Sequence, residues 1–92
     1  MSAVEKAKIA QEQEKQNEQI YEMITTTLRA LISDEIDAVK AYTHLSELYG
    51  EFGWRKIFGQ ILQDEQRHLS ELSELLERIK ETWIKEREIL SI

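Results

Sequence analysis

Asp64-Glu65-Gln66-Arg67-His68 sets a carboxylate and an imidazole three residues apart. Residues at that spacing lie on one face of a helix, so Glu65 and His68 can grip one metal ion together. A second acid, Glu35, stands thirty residues earlier in a stretch of similar apolar periodicity. Carboxylates combined with imidazole suit iron or manganese better than a structural zinc, which takes four tetrahedral ligands and is often thiolate bound. The chain has no cysteine, so it can form neither a disulfide nor a thiolate metal site.

The elements that position these residues are helices. There is no proline, there are three glycines, and good helix formers dominate the composition. From Ile20 onward, Ile24, Leu28, Leu31, Glu35, Ala38, Tyr42, Leu45 and Tyr49 recur at spacings of three and four, the seam of a helix in a left-handed bundle. Glu35 is the one charge on that line. Phe58, Ile61, Glu65, His68, Leu72, Leu75 and Ile79 repeat the pattern on a second helix, with Leu62, Leu69, Leu76 and Trp83 running beside them. Between the two, Tyr49-Gly50-Glu51-Phe52-Gly53-Trp54 is the one clear break, and a connection so short makes the helices antiparallel neighbours. Residues 1–19 are rich in Glu, Lys and Gln, with Val4 and Ile9 as the sizeable apolar side chains, and read as a polar helical arm. Residues 20–92 read as the hairpin itself, the segment after Trp83 continuing the second helix.

Across a hairpin closed near residues 49–54, facing residues have numbers that sum to about 103, which sets Glu35 opposite His68 with Glu65 less than a turn away. All three then share one layer about 22 Å from the turn. That layer also falls at the midpoint of both apolar seams. A two-fold axis perpendicular to the bundle overlays such a layer on its own copy, so two chains would bring together two each of Glu35, Glu65 and His68. Four buried carboxylates need counter-charge, and two divalent cations supply it.

Ninety-two residues with 33% charged and 41% hydrophobic side chains give one small domain with little material for a core of its own, so association with another chain is expected. The formal net charge of −6 argues against nucleic acid and anionic lipid as partners. No apolar run approaches the roughly 18 residues of a membrane span, and the N-terminus lacks the pattern of a signal peptide.

In Asp34-Glu35-Ile36-Asp37-Ala38-Val39-Lys40-Ala41-Tyr42 and Asp64-Glu65-Gln66-Arg67-His68, the chain resembles the ferritin-like superfamily, and most closely the encapsulated ferritins, over roughly Ile20 to Trp83. The resemblance implies an all-α fold in which an antiparallel two-helix hairpin dimerises into a ferritin-like four-helix bundle. It makes Glu35, Glu65 and His68 iron ligands of a ferroxidase, with two irons per dimer and manganese as the alternative metal. Tyr42 becomes a supporting group beside the ligands, and Asp34, Asp37 and Asp64 become acids that guide ions inward. Rubrerythrins are similar in motif but usually join both halves in one chain with a cysteine-bound iron domain. Ala41 stands where the encapsulated ferritins tend to have tryptophan, and Ser91-Ile92 lacks the glycine-containing tail that addresses cargo to an encapsulin shell.

The expected activity is therefore ferroxidase chemistry for iron storage or detoxification, in the cytoplasm or inside an encapsulin compartment, by a homodimer or a larger ring of dimers. Peroxide reduction at the same centre is the alternative within redox chemistry. A non-catalytic helical dimerisation module, its Glu and His fixing only the register, is the alternative outside it. Outside the ligand set, His44 reads as a surface residue, and Ile32, Ile36 and Val39 form a second apolar line suited to a further contact.

Overall fold

The computed structural model describes residues 1–48 and 53–90. Two α-helices make up the fold, α1 from Ala3 to Leu48 and α2 from Trp54 to Leu90, and there are no strands among the described residues. The expected apolar end of the first seam at Tyr49, the break at Gly50-Glu51-Phe52 and the tail Ser91-Ile92 lie outside the described residues.

α1 begins where Ser2 caps it: the Ser2 hydroxyl accepts the Glu5 N–H at 3.1 Å, and the Ser2 carbonyl accepts the Lys6 N–H at 3.0 Å. From there α1 runs unbroken through residue 19 into the seam, so residues 3–19 belong to the same helix as Glu35. Gly53, at φ +76°, takes the left-handed conformation immediately before α2 starts at Trp54. α2 ends with Arg87 in its last turn, where a cation suits the negative end of the helix dipole.

The two helices pack against each other along their length, but a pair of cylinders can enclose little. Among the described residues only Thr25, Leu28 and Leu76 are buried. The Thr25 hydroxyl is sealed in by donating to the carbonyls of Tyr21 and Glu22 at 3.0 and 3.2 Å. The molecule measures 75 × 18 × 14 Å with a radius of gyration of 21.2 Å, against about 12 Å for a compact chain of this length.

Register is fixed at three levels. Near the turn, the Tyr42 and Phe58 rings meet with centroids 6.5 Å apart. In the middle stand Glu35, Glu65 and His68. Toward the open end, Tyr21 stacks on Trp83 with centroids 4.5 Å apart and planes within 5°. The Arg87 guanidinium also lies over the Trp83 ring at 3.6 Å and reaches Glu14 at 2.9 Å. With Glu14 level with Arg87, residues 3–10 of α1 project about 12 Å beyond the end of α2.

Candidate metal centre

Glu35 reaches the inter-helix face because the seam of α1 turns toward α2 every three or four residues, and Glu65 and His68 do the same from α2. All three are half-buried, and one ligand atom from each lies within 4.8 Å of the others. Ligand atoms around a single first-row ion with bonds of about 2.0–2.2 Å stand about 3–4.4 Å apart, so closure on an ion asks only for small side-chain adjustments. Glu35 is thirteen residues from the end of α1 at Leu48 and Glu65 eleven from the start of α2, placing the layer about 17–20 Å from the turn. That agrees with the height expected from the hairpin register.

The electrostatics of the layer suit a cation. The Glu35 carboxyl is raised above its ordinary range, chiefly because it can share a proton with Glu65. Burial and the Glu65 and Asp34 charges push the same way, and the His68 imidazole opposes them. When both carboxylates are ionised neither can donate, and Oε2 of Glu35 is buried without a hydrogen-bond partner. A buried acceptor left unsatisfied is costly, and two carboxylates facing each other repel. A divalent ion between Glu35, Glu65 and His68 satisfies the orphaned oxygen and neutralises both acids, so the donor set fits such an ion.

The remaining singled-out residues are dispersed. Tyr42 is half-buried two turns along α1 from Glu35, its ring against Phe58. Asp34 and Asp37 are exposed next to the layer. Asp64 is exposed too and engaged by Arg67, whose guanidinium stands 3.5 Å from Asp64 and 3.9 Å from Glu71. His44 is exposed on α1, outside the cluster. On the outer side of α2, Arg78 pairs with Glu74 at 2.7 Å and Lys80 with Glu77 at 3.5 Å, exposed contacts worth little individually. In the second apolar line, Ile32 and Val39 are half-buried and Ile36 is exposed.

The grouping of Glu14, Tyr21, Trp83 and Arg87 was not anticipated from the sequence, although its signals were there. Trp83 and Arg87 are four apart on α2, Glu14 and Tyr21 seven apart on α1, and both pairs obey the antiparallel register that aligns Glu35 with His68. No helix of the described residues is long and apolar enough to cross a membrane. Comparison with known proteins returned no matching family model, no matching curated protein and no matching solved structure.

Proposed function

We propose that this protein is a ferroxidase that binds ferrous iron at a carboxylate di-metal site completed by a second copy of the chain. The observation that carries the reading is the convergence of Glu35, Glu65 and His68 from two helices into one half-buried layer with an unsatisfied acceptor. One hairpin offers three ligand atoms, too few to enclose even a single ion, and its duplicate about a two-fold axis supplies three more. Four glutamates and two histidines are the ligand set of ferritin-like di-metal proteins.

The residues divide the work by chemistry. Glu35 and Glu65 hold the ferrous substrate and offset its charge, and each carboxylate has a second oxygen with which to reach a neighbouring ion. His68 adds a neutral nitrogen donor. Two ferrous ions lose one electron each, and dioxygen takes both with two protons to leave as hydrogen peroxide. Asp34 and Asp37, exposed beside the layer, add negative potential along the approach of cations. Tyr42 lines the bundle on the turn side of the layer. A hairpin has no internal space for mineral, so storage would need a closed shell built from this protein or from another.

Titration with ferrous iron in air tests the proposal. A near-ultraviolet absorbance rise saturating at two irons per pair of chains is expected. Absence of any rise would leave a helical interaction module whose Glu and His fix register. Faster turnover with hydrogen peroxide than with dioxygen would make the centre a peroxide reductase instead.

A further inference from the structure

The groove between α1 and α2 is open on the side away from the turn, where Ile20, Tyr21, Ile24, Ile79 and Trp83 line a space of about 400 Å³. This opening stands apart from the Glu35–Glu65–His68 layer. Along α2, Ile79 is about 19 Å from the layer, Thr82 about 23 Å and Arg87 about 31 Å, and along α1 Tyr21 is about 21 Å from Glu35. Toward the turn the described helices stop sooner, with Trp54 about 19 Å and Leu48 about 20 Å from the layer. The hairpin is lopsided about its ligands. A second copy centred on the layer by a two-fold axis would end its helices level with Ile79, short of Thr82, Trp83, Glu86 and Arg87.

We infer that this opening is a binding site for a flat organic cation, an aromatic ring bearing one positive charge. The inference rests on the shared-site reading only for what a second copy leaves uncovered. Its volume falls in the range of small-molecule pockets, about 300–1,000 Å³, and its lining is of their kind, apolar and aromatic with a few polar groups, here Asn17 and Thr82. Tyr21 and Trp83 stack with centroids 4.5 Å apart, and the faces of such rings attract cations. The chain itself gives an instance of that preference. The Arg87 guanidinium, flat and positive, lies 3.6 Å from the Trp83 ring centroid with the Glu14 carboxylate 2.9 Å from it.

Charge sets the sign of the ligand. Three ionised side chains line the opening, Arg78, Glu86 and Arg87. Arg78 is engaged by Glu74 at 2.7 Å and Arg87 by Glu14 at 2.9 Å, whereas Glu86 is exposed and makes no ion pair among the described residues. With the two partners counted, the group carries Glu14, Glu74 and Glu86 against Arg78 and Arg87, a net −1, in a chain of net −6. An anion would meet two engaged guanidiniums and an unpaired carboxylate. A cation finds that carboxylate free, beside rings that favour it.

The test uses naphthylmethylammonium as the probe and the indole N–H resonance of Trp83 as the reporter, in the isotope-labelled full chain without metal, the resonance being assigned with Trp54→Phe. A saturable shift at one probe per chain is expected, with neutral naphthylmethanol and anionic naphthoate binding at least about threefold more weakly. Two exposed substitutions act with opposite sign: Glu86→Gln weakens the probe about threefold and Arg78→Gln strengthens it. Glu81→Gln, an exposed acid that does not line the opening, leaves binding unchanged. Equal binding of the neutral or anionic analogue overturns the inference, as does a Trp83 resonance that stays in place or a Glu86→Gln chain that binds the probe undiminished. The two readings fail separately. Manganese(II) uptake by a chain that ignores the probe sinks the cation site and spares the Glu35–Glu65–His68 site, and probe binding without manganese(II) uptake does the reverse.

Discussion

Glu35 and Glu65, thirty residues apart in the chain and on different helices, hold carboxylate oxygens within 4.8 Å of each other. Two acids in that relationship are unfavourable in a hairpin without counter-charge and favourable around a cation. On the proposed function, the stability of the protein and its metal binding are coupled through this one pair of side chains.

Glu65→Gln tests the pair directly. The amide can donate to Glu35, satisfying its orphaned oxygen and removing the facing charge, so the metal-free hairpin should melt at a higher temperature at neutral pH. The same change removes an anionic ligand and should cut ferrous oxidation at least about tenfold. Thermal melting and aerobic iron oxidation measured on the same preparation check both halves.

The pH dependence follows from the sign of the Glu35 shift. Its carboxyl is raised from 4.5, so the folded chain holds that proton more tightly than the unfolded chain does. Stability from this group is present at pH below 4.5 and is lost as pH rises through the folded value. Metal binding runs the other way, because the ion competes with the proton. Denaturant midpoints across that window should fall with pH in metal-free protein and rise with pH when manganese(II) is supplied.

Arg87→Ala should loosen the open end and leave the Glu35–Glu65–His68 layer alone. The change removes the guanidinium from the Trp83 ring and from Glu14, both partly shielded contacts, at a cost of about 1–2 kcal/mol. Hydrogen exchange should speed up around residues 10–21 and 80–90, with manganese affinity unchanged.

Two glycines should respond oppositely to alanine. Gly53 has φ +76°, where an L side chain is strained, and Gly53→Ala should cost about 1–2 kcal/mol. Gly59 lies inside α2 with nothing within 4 Å of an added Cβ, so Gly59→Ala should stabilise by about 0.5–1 kcal/mol. Melting temperatures of the two variants give the contrast in one experiment.

The helices, the hairpin and the common height of Glu35, Glu65 and His68 were already legible in the amino-acid order. Those features depend on spacing of three and four, on the absence of proline and on where the glycines fall, all local properties. It also carried the level of Tyr21 with Trp83 and of Glu14 with Arg87, although neither was read from it. Helix packing alone set the Glu35, Glu65 and His68 ligand atoms within 4.8 Å of one another and brought Tyr42 against Phe58. Those contacts depend on how far each helix is rotated about its own axis and on side-chain torsions, which linear spacing leaves free. The open groove belongs with them, because an apolar repeat marks a face to be covered without showing whether the neighbouring helix is wide enough to cover it. Here it is not, since two helices in contact seal only Thr25, Leu28 and Leu76 among the described residues.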